Sequence, residues 1–157
     1  MPARMLAGER YWLTYRRGIA VKPDDQTRSS QMLKQISVTT SPVASGAYSQ
    51  AIAANGFVFV AGVGPYDPTT RAIVGTTIEE QTVQTVANIE AILVGAGSGL
   101  DKIVNTTVWL ADLNHDWVAF DATYRSLLTP PLPARATTGA VLKGILVEIA
   151  VIAIAGS

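Results

Sequence analysis

The run Leu146-Val-Glu-Ile-Ala-Val-Ile-Ala-Ile-Ala155 decides how the chain is to be folded. Read with the two-residue period of a strand, it is apolar on both faces, which predicts a strand that is central in its sheet or covered on both sides. Its uninterrupted apolar part, Ile149 to Ala155, is far short of the ~20 residues that span a bilayer. Glu148 interrupts the pattern on the face shared with Leu146, Ala150 and Ile152. Two readings of it stand. A buried carboxylate must be paired or hydrogen-bonded, and desolvation would raise its pKa toward values useful for proton transfer. Alternatively, a glutamate near a strand end reaches solvent or a cation at an interface.

Working outward, Ala134 to Val141 reads as the preceding strand, entered through Pro130-Pro131-Leu-Pro133. Before it, Trp117, Phe120, Tyr124, Leu127 and Leu128 mark a helix that Asp112-Leu-Asn114 can cap and the prolines end. Lys102 to Leu110, rich in Val, Ile, Thr and Trp, predicts a strand. Thr77-Ile-Glu-Glu80 forms a capping box, and Val83, Val86, Ile89 and Leu93 recur at helical spacing until Gly95 to Gly99 stops them. Asn55-Gly56, between Ala51-Ile-Ala-Ala54 and Phe57-Val-Phe-Val-Ala61, predicts a hairpin with a type I′ turn. Leu33 to Thr39 and Gln50 to Ala54 complete the strands. The order implies an α+β layer with helices on one face of the sheet. Nothing in the chain covers the other face, so a second subunit is the economical cover.

Composition agrees. The 157 residues suffice for one domain with a substantial core. Only 15% are charged, against about 25% in usual composition, which predicts a small exposed surface and hence an oligomer. Twelve basic residues balance twelve acidic ones, so no electrostatic footprint for nucleic acid or an acidic membrane is seen. Residues 1–31 hold six of the basic and three of the acidic residues and end in the polar stretch Lys22 to Gln31. They are expected to form a flexible N-terminal extension to a domain over 32–157, which itself carries net −3. The extension lacks the apolar core of a signal peptide, so the cytoplasm is the default location. The absence of cysteine excludes disulfides, thiol nucleophiles and cysteine metal sites. The single histidine, His115, sits at a helix start and reads as a surface residue, so no metal is implied.

Other residues are suited to chemistry. Arg135 lies on a proline-stiffened strand entry, where a guanidinium can take a carboxylate bidentately or form a rim or intersubunit salt bridge. Tyr48, in Gly46-Ala-Tyr-Ser-Gln50, can line a pocket or pack in the core. Gly62-Val-Gly64-Pro65 lacks the rest of a phosphate loop and reads as a strand end turning.

Taken together, Ser41-Pro-Val-Ala-Ser-Gly-Ala-Tyr-Ser-Gln50, Val58-Phe-Val-Ala-Gly62, Gln81 to Ile89, Val104 to Leu113, Asp121-Ala-Thr-Tyr124, Pro133-Ala-Arg135 and Val147-Glu-Ile149 resemble the Rid family, also called YjgF or reactive-intermediate deaminases. The resemblance runs from Met32 to the end of the chain. It implies a chorismate-mutase-like mixed sheet with two helices on one face, in a homotrimer with intersubunit clefts. It also implies an enamine/imine deaminase that needs no cofactor and converts 2-aminoacrylate-like 2-imino acids to 2-keto acids and ammonia. By the same resemblance, Arg135 binds the substrate carboxylate, assisted by Thr137, Glu148 positions or activates the water, and Tyr48 lines the cleft. This chain has Ala61 where the archetypal members have serine, and Asp121 where they have asparagine. Two other readings follow from the family: a non-catalytic regulator that binds small carboxylates, and a ribonuclease or translation inhibitor. The net charge of −3 disfavours the last.

Overall fold

The computed structural model describes residues 33–156; the extension expected over 1–31 lies outside the described residues. Strands β1 (Lys34–Ile36), β2 (Ala51–Ala54) and β3 (Phe57–Val63) form an antiparallel meander, followed by helix α1 (Ile78–Gly95). A short 3₁₀ turn at Leu100–Lys102 leads into β4 (Ile103–Leu110), then helix α2 (Leu113–Leu127), β5 (Ala134–Gly139) and β6 (Val147–Ile154). The six strands make one mixed sheet in the order β1-β2-β3-β6-β4-β5. The run that is apolar on both faces is therefore central, between β3 and β4, and antiparallel to both. β5 pairs in parallel with β4, and α2 is the crossover between them.

The local signals act as expected. Asn55 (φ 53°) and Gly56 (φ 79°) both lie in the left-handed region that a type I′ hairpin turn requires. The Thr77 hydroxyl accepts from the Glu80 amide, and the Glu80 carboxylate accepts from the Thr77 amide, closing the capping box. Asp112 caps α2 by accepting from the amides of Asn114 and His115. Several strands are shorter than their sequence patterns: β1 stops at Ile36 instead of Thr39, and β5 at Gly139 instead of Val141.

The core lies between the helices and one sheet face, formed by Val58 and Val60, Val108 and Leu110, and Val147, Ile149 and Val151, with Ile89, Leu93 and Phe120 from the helices. The buried side of α1 differs from the expected stripe: Val86, Ile89 and Leu93 are buried, but Val83 is 47% exposed. Gln81, Thr82, Thr85 and Asn88 are buried instead. The reason is polar. Asn88 donates to the carbonyls of Gly64 and Tyr66, while Gln81 donates to the Gly75 carbonyl and accepts from the Leu146 amide. These bonds satisfy loop carbonyls that would otherwise be buried without partners. They turn Val83 outward and hold residues 64–75 against the helix.

The opposite sheet face carries Phe57, Phe59, Val104 and Ile154, all 39% exposed or more. It is an exposed apolar face. Among the described residues no helix is long and apolar enough to cross a membrane.

Candidate functional site

Further along the strand that carries Phe57 and Phe59, β3 loses register with β6 between Val60 and Val63. Such a bulge bends the strand and leaves residues without a partner across the ladder, here Ala61 and Gly62 on the β6 side. Glu148, level with Trp109 of β4, turns its carboxylate toward this bulge. A methyl group at Gly62 would overlap the Glu148 carboxylate, so only glycine leaves room for it. The two residues line a cleft of about 590 Å³ together with Ala61, Tyr48, Gln50 and Arg71.

The walls of the cleft are built by local bonding. Gln50 accepts from the Val38 amide and donates to the Pro42 carbonyl at 2.8 Å, which pins residues 38–42 along the rim. The Tyr48 hydroxyl lies 3.2 Å from the donating Ser45 amide, with its ring half-exposed over the opening. Across the cleft, Asp67 organises a tight loop by accepting from the amides of Thr69 and Thr70, and the Thr70 amide above all holds its carboxyl below the ordinary value of 3.8. That loop places Arg71 in the left-handed region at φ 63°. For a side chain with a Cβ this costs ~1 kcal/mol. Among the described residues its guanidinium forms no ion pair.

A second cluster stands on the helix-covered side. Arg135 on β5 is level with Thr106, whose side chain is buried under α2. The guanidinium carbon sits 5.3 to 5.4 Å from the ring centroids of Trp117, Phe120 and Tyr124. This is cation–π distance to three rings at once. Tyr124 shares a 2.9 Å hydrogen bond with Thr106, and burial pushes its phenol pKa up. Arg135 donates to Asp121 at 2.6 Å, and this bond, more than any other influence, holds the Asp121 carboxyl below 3.8. Two residues further along β5, the buried Thr137 hydroxyl finds no partner among the described residues.

The residues singled out from sequence thus fall into two groups. Tyr48, Ala61 and Glu148 meet in the cleft, whereas Arg135, Thr137 and Asp121 gather beside α2 and do not line it. Of the two readings of Arg135, the structure records a salt bridge, but within the chain. Gly62-Val-Gly64-Pro65 spans the end of β3, as expected, and Gly62 in addition leaves the space into which Glu148 fits. Arg71 and the aromatic surround of Arg135 were not foreseen; the helical spacing of Trp117, Phe120 and Tyr124 carries the latter signal, but by itself it marks only a helix. His115 is a surface residue, as expected; it is bonded to Asp116, which together with Asp112 raises its pKa above 6.5.

Comparison with known proteins agrees with this architecture. The sequence-family model described as endoribonuclease L-PSP matches residues 38–155. A RutC-family protein of Synechocystis is 39% identical over 126 residues, covering 78% of this chain and 96% of its own. The rat 2-iminobutanoate/2-iminopropanoate deaminase is 37% identical over 130 residues, covering 82% and 94%. Among solved structures, Escherichia coli TdcF with bound serine matches with a TM-score of 0.71 at 29% identity, covering 77% of this chain and 98% of that one. With the family model spanning β2 to β6 and these relatives matching over nearly their whole lengths, this chain belongs to the Rid (YjgF/RutC) family.

Proposed function

We propose that the protein is a cytoplasmic enamine/imine deaminase that hydrolyses short 2-imino acids to 2-keto acids and ammonia in homotrimeric clefts. The observation that carries this reading is the pairing of two incomplete half-sites. One holds a carboxylate facing an open cleft, Glu148 beside Gly62. The other holds a guanidinium fixed among three aromatic rings, Arg135 on the edge strand β5. The bare apolar face with Phe57, Phe59, Val104 and Ile154 is the surface through which copies would assemble. A neighbouring copy would then bring its Arg135 to this chain's Glu148.

In such a cleft Arg135 holds the substrate carboxylate, with the backbone amide of Thr137 assisting, while Tyr48 lines the cleft. Glu148 orients a water on the electrophilic imine carbon and accepts one of its protons. The C–O bond forms as the C=N π pair moves to nitrogen, giving a carbinolamine. The proton held by Glu148 passes to that nitrogen; Glu148 then takes the hydroxyl proton and relays it to the same nitrogen, so that the C–N bond pair leaves with ammonia while the O–H bond pair closes the C=O of the keto acid. The substrate is already activated, so positioning supplies much of the rate gain. The rat relative named as a 2-imino acid deaminase and the serine bound by TdcF support this substrate class.

The test generates 2-imino acids in situ with an amino-acid oxidase and follows their decay with and without the protein, alongside Arg135→Ala. Faster decay that vanishes in the variant is expected. Uncatalysed decay across several imino acids, with ligand still bound, would move the assignment to a non-catalytic carboxylate-binding protein.

A further inference from the structure

The deaminase reading makes Arg135 a carboxylate anchor, yet in this chain a carboxylate already occupies it. Asp121 Oδ1 accepts from Arg135 Nη2 at 2.6 Å, the length of a strong charge-assisted bond. The other oxygen, Oδ2, lies 3.4 Å from Nη2 of Arg125, one helical turn further along α2. The three side chains differ in freedom. Arg135 is only 19% exposed and is fixed by Trp117, Phe120 and Tyr124, so it cannot turn away from Asp121. Arg125 is 67% exposed and can follow a carboxylate that moves. Asp121 is therefore one acid shared unequally between a fixed cation and a mobile one.

Resting on the reading of Arg135 as the anchor, we propose that Asp121 is an internal competitor for the substrate carboxylate, and that Arg125 is the second seat that receives Asp121 when a substrate displaces it. Asp121 engages a single Nη2 hydrogen in the bond the structure shows, whereas an incoming 2-imino or 2-keto carboxylate can take two donors of the guanidinium fork. The exchange replaces the Asp121–Arg135 pair by a substrate–Arg135 pair, while Asp121 keeps Arg125, already 3.4 Å away, and is free to close on it. Asp121 and Arg125 are thus positioning residues that set affinity through Arg135. They leave the water and proton steps at Glu148 unchanged, so their effect falls on KM rather than on kcat.

The experiment measures binding of 2-oxobutanoate, a stable keto acid, by calorimetry to the full chain and to D121N, R125Q, the double variant and R135A. KM and kcat are measured in parallel on the imine generated in situ. D121N is expected to bind about 10-fold tighter, the order of one hydrogen bond to a charged group. R125Q is expected to bind several-fold more weakly, and that loss should disappear in the double variant, because no acid remains to be reseated. D121A serves as a second variant and should also bind tighter. Equal or weaker binding by both Asp121 variants would overturn the proposal. So would a loss from R125Q of the same size in both backgrounds, which is the signature of long-range charge alone. If R135A binds as the wild type does, or if no protein binds the keto acid, the anchor reading itself fails and takes the proposal with it. Tighter binding by D121N without turnover would instead retain the competitor and remove the deaminase assignment.

Discussion

Arg135 and Glu148 project from opposite faces of one sheet. Arg135 is level with Thr106 on the side covered by the helices, while Glu148 is level with Trp109 on the bare side, three residues further along the same strand. Strand alternation forbids the two side chains from meeting within a chain. A deaminase built from both needs them from different copies.

This separation makes a subunit-complementation test decisive. Arg135→Ala and Glu148→Gln should each abolish imine hydrolysis, yet unfolding the two together and refolding should restore activity. Random mixing leaves roughly a quarter of the clefts in a cyclic trimer with both groups intact. Sedimentation should give three times the chain mass of 16.6 kDa, and Phe59→Asp on the bare face should lower it. A mixture as inactive as its parents, or a monomeric wild type, would remove the intersubunit cleft.

Gly62→Ala should fold and fail. The added methyl overlaps only the Glu148 side chain, so the carboxylate must swing away while the backbone stays. Misplacement of a catalytic group by about 1 Å costs on the order of 10²-fold in rate. The expected result is a large fall in kcat with an unchanged melting temperature. Near-normal kcat would show that the placement of Glu148 does not matter.

Acid should selectively weaken the α2–β5 contact. The Asp121 carboxyl is held below 3.8 chiefly by its bond to Arg135, so the pair stabilises the fold above pH 3.8 and loses that contribution as the pH falls through the lower folded value. Solvent reaches both partners, so the contribution is on the order of 1 kcal/mol. Wild type should melt above D121N near neutrality, and the gap should close in acid. A gap independent of pH would assign the difference to packing.

Phe120→Ala tests the aromatic surround. Phe120 is fully buried, stacked on Tyr124 with centroids 5.5 Å apart, and lies under Arg135. Truncation of such a ring costs about 3–5 kcal/mol. Denaturant unfolding should show that loss, and carboxylate affinity should fall with it because Arg135 is no longer held. A loss below about 1 kcal/mol would mean the site collapses around the gap.

Much of this architecture was legible in the chain because local chemistry specifies it. Asn55-Gly56 demands positive φ, Thr77 and Glu80 close a cap among themselves, and the two apolar faces of Val147–Ile154 require a central strand. Residue type and position likewise singled out Glu148, Arg135 and Tyr48, and the motif resemblance gave their roles and added Asp121. Their relations were not legible. The inward turn of Gln81 and Asn88, the outward turn of Val83, the fit of Glu148 against Gly62, and the hold of Asp121 on Arg135 all join residues far apart in sequence or across elements. Periodicity reports which face of an element is apolar, because that depends on neighbours three or four positions away. It does not report which distant carbonyl or cation that face will meet. Those contacts exist only once sheet order and register bring the elements together, and they decided which charges lie in the cleft and which lie behind the sheet.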